Sequence, residues 1–205
     1  MVASLPLVAV YADESCLGNG REGENPGGAG VLVEYARPDG PLVRRDLWVA
    51  ERATTNNRMA LRSVIEACRA LSRKGSTFRI VFTTDSRYIV DGMTKWVHDW
   101  ARRGWRRKSG AIENLDLWRE AVSAAASHEI AWRWVRGHNG HAQNEYANDL
   151  AVRAAETLCD SPGLVDSQFD EWLAKRDPPL KPDDFPATSE FRPSPGLPPA
   201  GERRH

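Results

Sequence analysis

Cysteine is scarce in this chain: Cys16, Cys68 and Cys159 are the three among 205 residues, and none has a neighbour at metal-ligand spacing. An odd, sparse count excludes a disulfide-held scaffold and suits a reducing compartment. No run reaches the roughly 18 apolar residues of a membrane span, and Met1-Val2-Ala3-Ser4-Leu5-Pro6 has no basic segment of the kind that directs export. The expectation is a soluble, cytoplasmic protein with no membrane partner. An excess of charge is missing too, since 28 basic residues balance 28 acidic ones, which argues against indiscriminate polyanion binding. The balance is uneven: residues 158–205 hold six basic and nine acidic side chains, which leaves the preceding body mildly basic.

What is present suffices for one ordinary core with an appendage, given 41% hydrophobic residues. Strands are expected over about 7–13, 31–35 and 42–49, the last two joined by a turn-forming Arg37-Pro38-Asp39-Gly40. A helix over 56–73 follows, with Leu61, Val64, Ile65, Cys68 and Leu71 at helical spacing. Next come a strand over 78–85, helical material over 86–101, a basic bend at 102–110, a helix over 115–126, a strand over 130–135 and a helix over 144–158. A meander followed by alternating strands and helices describes an α/β protein with a mixed five-stranded sheet and helices on both faces. Three segments are expected: a domain over 1–157, a short docking helix within 158–177, and a disordered tail over 178–205 that carries eight of the thirteen prolines.

Two strands end on an aspartate, Val8 to Asp13 and Phe78 to Asp85, each followed within two residues by serine. A rigid strand end holds a carboxylate well, and two of them suggest a shared cation site. Further along the chain stand Thr54-Thr55-Asn56-Asn57-Arg58-Met59, Thr84-Asp85-Ser86, Gly104-Trp105, Asn114 to Trp118, and Val135-Arg136-Gly137-His138 with His141, Asn144 and Glu145. In this order the motifs resemble type 1 ribonuclease H over about residues 6–157. The resemblance implies a ribonuclease H-like fold with a C-terminal extension, and metal-dependent hydrolysis of the RNA strand of RNA–DNA hybrids by a monomer using Mg²⁺, with Mn²⁺ as the alternative. Two cations about 4 Å apart serve such chemistry by flanking an anionic phosphodiester, and hard cations take oxygen ligands. The implied metal ligands are Asp13 and Asp85, and His138 is the implied proton carrier, a task that suits imidazole near neutral pH.

The chain departs from this pattern at two positions. Ala60 stands where the resemblance calls for glutamate, and Asn148 where it calls for aspartate. Asn148 still offers an oxygen to a metal, and Glu145, three residues earlier on the same helical face, is the expected substitute carboxylate. Glu14 is adjacent to Asp13, but strand alternation is expected to turn it away. On this reading Ala60→Glu and Asn148→Asp together raise cleavage at least about tenfold. Hybrid recognition has more intact parts: Asn19, Asn56 and Asn57 for base edges and 2′-hydroxyls, Thr55 and Ser86 for phosphates, and Trp96, Trp100 and Trp105 interleaved with Arg106, Arg107 and Lys108 as a basic grip on the DNA strand. The alternative is a noncatalytic hybrid-binding protein that keeps this groove without a working metal site.

Overall fold

The computed structural model describes residues 5–18, 25–37 and 40–201; Asn19 and the centre of the turn at 38–39 lie outside them. Strands β1 (Leu7–Cys16), β2 (Gly27–Ala36) and β3 (Leu42–Glu51) form an antiparallel meander. Helix α1 (Asn56–Leu71) then leads to β4 (Arg79–Thr84), which lies parallel to β1 on its other side. After α2 (Arg87–Asp91), a π-helical turn (Gly92–Trp96), α3 (Val97–Arg102) and α4 (Leu115–Ala125), strand β5 (Glu129–Trp134) joins β4 in parallel. Helix α5 (Ala142–Thr157), β6 (Val165–Asp166) and α6 (Phe169–Ala174) follow, and the sheet order is β5-β4-β1-β2-β3-β6.

Period-two alternation along β1 decides which side each residue serves. Val8, Val10 and Ala12 enter the core beneath α1 and α4, with Ala60, Leu61, Val64, Ile65, Phe82 and Trp118, all at most 1% exposed. Ala9 and Tyr11 face the opposite side and pack with Leu32, Tyr146, Leu150 and Phe169 beneath α5 and α6. Both faces are covered, as parallel strands require. Helix α5 sits directly on β2 because β2 is glycine there: a Cβ on Gly30 would lie 2.1 Å from the Ala147 carbonyl oxygen, and one on Gly28 2.1 Å from that of Ala151.

Three expectations need correction. The sheet has six strands because Val165 and Asp166 pair with Asp46 and Arg45 before the short helix begins. Strand β1 runs to Cys16, three residues past Asp13, because β2 continues to pair with it as far as Gly27. The proline-rich segment, for which disorder was expected, lies packed along the domain through residue 201. Its backbone donates from Ser194 to the Ile130 carbonyl on the free edge of β5, the Ser194 hydroxyl accepts from Trp132, Phe191 is 9% exposed, and the Pro199 carbonyl accepts from the Trp105 indole. Side chains and edge-strand groups capture a segment that could not form a core alone. We call residues 178–201 the strap.

Gly30→Ala should force α5 off the sheet, since no flexible side chain can yield at that contact. The expected cost is about 2 kcal/mol or more, read as a lower unfolding midpoint in urea. An unchanged midpoint would mean that α5 tolerates the displacement.

Candidate active site

The final parallel pair between β1 and β4 is Ala12 with Thr84. The next residues on each chain, Asp13 and Asp85, therefore leave the sheet side by side. Strand β4 ends there while β1 continues, so Glu14 borders an open edge. Alternation starts Asp13 and Glu14 toward opposite faces, yet the carboxylates of both come together with that of Asp85. One oxygen from each of Asp13, Glu14 and Asp85 lies within 4.8 Å of the other two. The expectation that Glu14 points away is thus overturned. The sequence signal was adjacency: two consecutive acids beyond the end of the neighbouring strand.

Neighbours hold each carboxylate. Asp13, 5% exposed, accepts from the Glu14 backbone N–H at 2.7 Å and from Asn144 Nδ2 at 2.5 Å. A hydrogen bond from Ser86 reaches Glu14, so that serine serves a carboxylate before any phosphate. Asp85 is backed by the main chain of the loop between β5 and α5, where a Cβ on Gly137 would sit 2.0 Å from Asp85 Oδ2. Its backbone carbonyl accepts from the Trp134 indole at 2.9 Å.

The cluster is electrostatically strained without a cation. Burial, then the Asp85 charge, pushes Asp13 up to about 8. Burial followed by Asp13 and Asp85 pushes Glu14 well above the usual carboxylate range, and burial also raises Asp85, which His138 partly opposes. Like charges in a desolvated pocket behave this way. Three crowded oxygen donors fit a hard divalent cation, which would relieve the repulsion.

Helix α5 supplies the second wall. His141 is its N-cap, with Nδ1 accepting from the Asn144 N–H at 3.3 Å. Glu145 is half-buried, and its charge raises both Asp13 and Asp85, so it borders the cluster without joining it. Asn148 is half-buried one turn after Asn144. His138 is 76% exposed on a left-handed turn (φ 51°), with Nδ1 3.9 Å from Glu145 Oε2. Ala60 is fully buried in the core under α1. Sequence reasoning also missed Asn144 as a partner of Asp13, because its side chain is a neutral amide.

The expected groove residues divide. Asn56 and Asn57 lie half-buried in the first turn of α1, and Asn56 Oδ1 has no protein partner. The Thr55 hydroxyl caps α1 by accepting from the Arg58 N–H at 3.4 Å. Trp96 and Trp100 join Tyr88 and Trp118 in an aromatic cluster lining a cavity of about 340 Å³ that Arg107 also borders. Arg106, Arg107 and Lys108 are exposed. Trp105 is a correction: Gly104 and Trp105 both take positive φ (63° and 61°), and the indole turns inward to 6% exposure instead of facing nucleic acid.

Comparison with known proteins agrees with this geometry. The RNase H family profile matches residues 6–156. Ribonuclease H of Erythrobacter litoralis is 43% identical over 150 residues, covering 73% of this chain and 96% of that protein. Ribonuclease H of Halorhodospira halophila is 43% identical over 153 residues, covering 74% and 95%. The crystal structure of LC9-RNase H1, a type 1 RNase H with the type 2 active-site motif, superposes with a TM-score of 0.93 at 68% identity over 98% of both chains. The solution structure of the PFV RNase H domain shares the fold at 18% identity, with a TM-score of 0.62 over 75% of this chain and 97% of that one.

The crowded acids predict a pH dependence. Between an ordinary carboxylate pKa of about 4 and the Asp13 value of about 8, the folded chain keeps a proton that the unfolded chain has released. Stability is therefore fully present below the unfolded pKa and falls as pH rises through the folded one. Metal-free protein should lose thermal stability across this window, and added Mg²⁺ should recover progressively more of it as pH rises. A metal-free melting temperature that stays level in wild type and in Asp13→Asn alike would contradict the crowding.

Proposed function

This chain belongs to the type 1 ribonuclease H family, and from that membership we propose that it is a metal-dependent endonuclease hydrolysing the RNA strand of RNA–DNA hybrids. The observation that carries the reading is the convergence of Asp13, Glu14 and Asp85. These three would hold the cation, with Mg²⁺ the natural occupant of an all-oxygen site and Mn²⁺ an acceptable one. When bound, divalent cations supply positive charge to the attacking and departing oxygens of a phosphodiester.

The chain's own groups do the rest. Asn144 and the Glu14 amide fix the Asp13 carboxylate, and Gly137 brings the loop backbone against Asp85. His138, exposed beside Glu145, is free to move a proton to or from solvent near the site. Asn148 offers a neutral oxygen from the next turn of α5. Asn56 and Asn57, with Asn19, read the minor groove and its 2′-hydroxyls. Thr55 and Ser86 border the phosphate path, while Trp96, Trp100 and the Arg106, Arg107, Lys108 run grip the DNA strand. The enzyme acts as a cytoplasmic monomer. Glu14 answers the missing helix glutamate, so Ala60 no longer argues for a noncatalytic binder.

Two measurements test this. Glu14→Gln should lower hybrid cleavage at least about a hundredfold, or about 2.7 kcal/mol of barrier, with hybrid binding retained. Ala60→Glu, in contrast to the sequence expectation, should bring no gain, because it buries a further acid in a packed core. Full activity in Glu14→Gln together with a gain in Ala60→Glu would return the ligand to the helix. Neutralising Arg106, Arg107 and Lys108 together should flatten the salt dependence of hybrid affinity by about 0.9 in log–log slope for each phosphate left without its basic partner. An unchanged slope would remove that segment from the interface.

A further inference from the structure

The strap crosses the protein at a position that matters chemically. Asp183 makes four hydrogen bonds there. Its carboxylate Oδ2 accepts from His141 Nε2 at 3.0 Å and Arg133 Nη2 at 3.1 Å. Its backbone carbonyl accepts from Gln143 Nε2 at 2.9 Å, and its backbone N–H donates to Gln143 Oε1 at 3.0 Å. Gln143 is fully buried, and a buried amide stripped of these partners would be costly. One strap residue thus engages both side chains that frame the start of α5.

Hydrogen-bond chemistry orders this contact. His141 Nδ1 accepts from the Asn144 N–H, so the ring proton resides on Nε2 and is donated to Asp183. The imidazole is held at both nitrogens and rests against the Tyr11 ring, 5.6 Å between centroids. Asn144, whose backbone meets the ring, donates from its side chain to Asp13. Three hydrogen bonds in series therefore connect Asp183 to a carboxylate of the cation site, and the same loop carries His138. The strap lies outside residues 6–156, which the family shares.

We propose that Asp183 is a positioning residue for hydrolysis: through His141 and Asn144 the strap sets the orientation of Asp13 and of the loop bearing His138. This rests on the nuclease reading given above. Asp183 touches neither the cluster nor a substrate. Removing it should therefore disturb turnover rather than hybrid affinity, since small misplacements at a reacting centre cost rate.

Full-length Asp183→Ala, Asp183→Asn and wild type should be compared in hybrid cleavage with Mg²⁺, below the unfolding range of all three. Asp183→Ala should lower kcat about tenfold with KM within about twofold. Asp183→Asn, which keeps an acceptor for Nε2–H, should stay within about threefold of wild type. Amide exchange at Asn144 should quicken in the alanine variant and not in the asparagine one. Should Asp183→Ala not fold, Asp183→Ser, whose hydroxyl stops a bond short of the Oδ2 position, should show the same loss. Wild-type kcat in the alanine variant, a loss confined to KM, or an asparagine variant as slow as alanine would overturn the proposal. If wild type itself cleaves no hybrid, the nuclease reading fails, and unchanged Asn144 exchange in Asp183→Ala would independently overturn the positioning role.

Discussion

The parallel pairing of β1 with β4, and the residue at which it stops, is the constraint on which the rest of the molecule depends. Register brings Asp13 alongside Asp85, and the end of β4 opens the edge round which Glu14 can turn. Two unit charges about 4 Å apart repel by about 4 kcal/mol at an effective dielectric of 20, so three such groups do not gather unless the scaffold imposes it. The scaffold here is a β1 buried on both faces and hydrogen-bonded on both sides. Its rigidity keeps these acids buried and close together, so that burial first and repulsion second raise their affinity for a proton and, with it, the demand for a cation.

Moving a carboxylate from a helix to a strand changes what surrounds it. A glutamate at position 60 would be the fifth residue of α1, close to the end whose dipole favours negative charge. Helix α1 has no acid in its first turn, and the space is given to core packing. Glu14 forgoes the dipole and takes instead the nearness of Asp13 and Asp85, with Ser86 as its hydrogen-bond partner. Three acids thus converge at the strand ends without any acid from the first turn of α1.

Much of this was legible in the sequence. The strands, the long helices, the mixed sheet and the pairing of Asp13 with Asp85 follow from periodicity and strand-end acids, which are local properties. Glu14 was misplaced because alternation fixes only the direction in which a side chain leaves the backbone, and the sequence does not display where β4 stops relative to β1. Trp105 was misplaced because two consecutive residues with positive φ reverse the chain, a conformation that Gly104 signals for itself but not for the residue after it. Asn144 was unassigned for a different reason: a neutral amide acquires meaning only from the carboxylate it meets across 131 residues of chain.

The strap is instructive, since its composition allows no core of its own and yet it lies packed along the domain. Proline density does preclude a core, but it also restricts the unfolded chain, so less conformational entropy is lost when such a segment is held. Few contacts then suffice. Asp183 against α5, Ser194 on the β5 edge, Phe191 with the Arg79 guanidinium 5.6 Å from its ring, and Pro199 at the Trp105 indole are spaced along the strap like fasteners. Each satisfies a group that belongs to the domain: an imidazole N–H, a strand-edge carbonyl, a guanidinium, an indole N–H. The domain therefore supplies the partners that the strap lacks within itself. A segment with no core of its own becomes ordered by completing the polar surface of another, and that surface includes the start of the helix whose side chain orients Asp13.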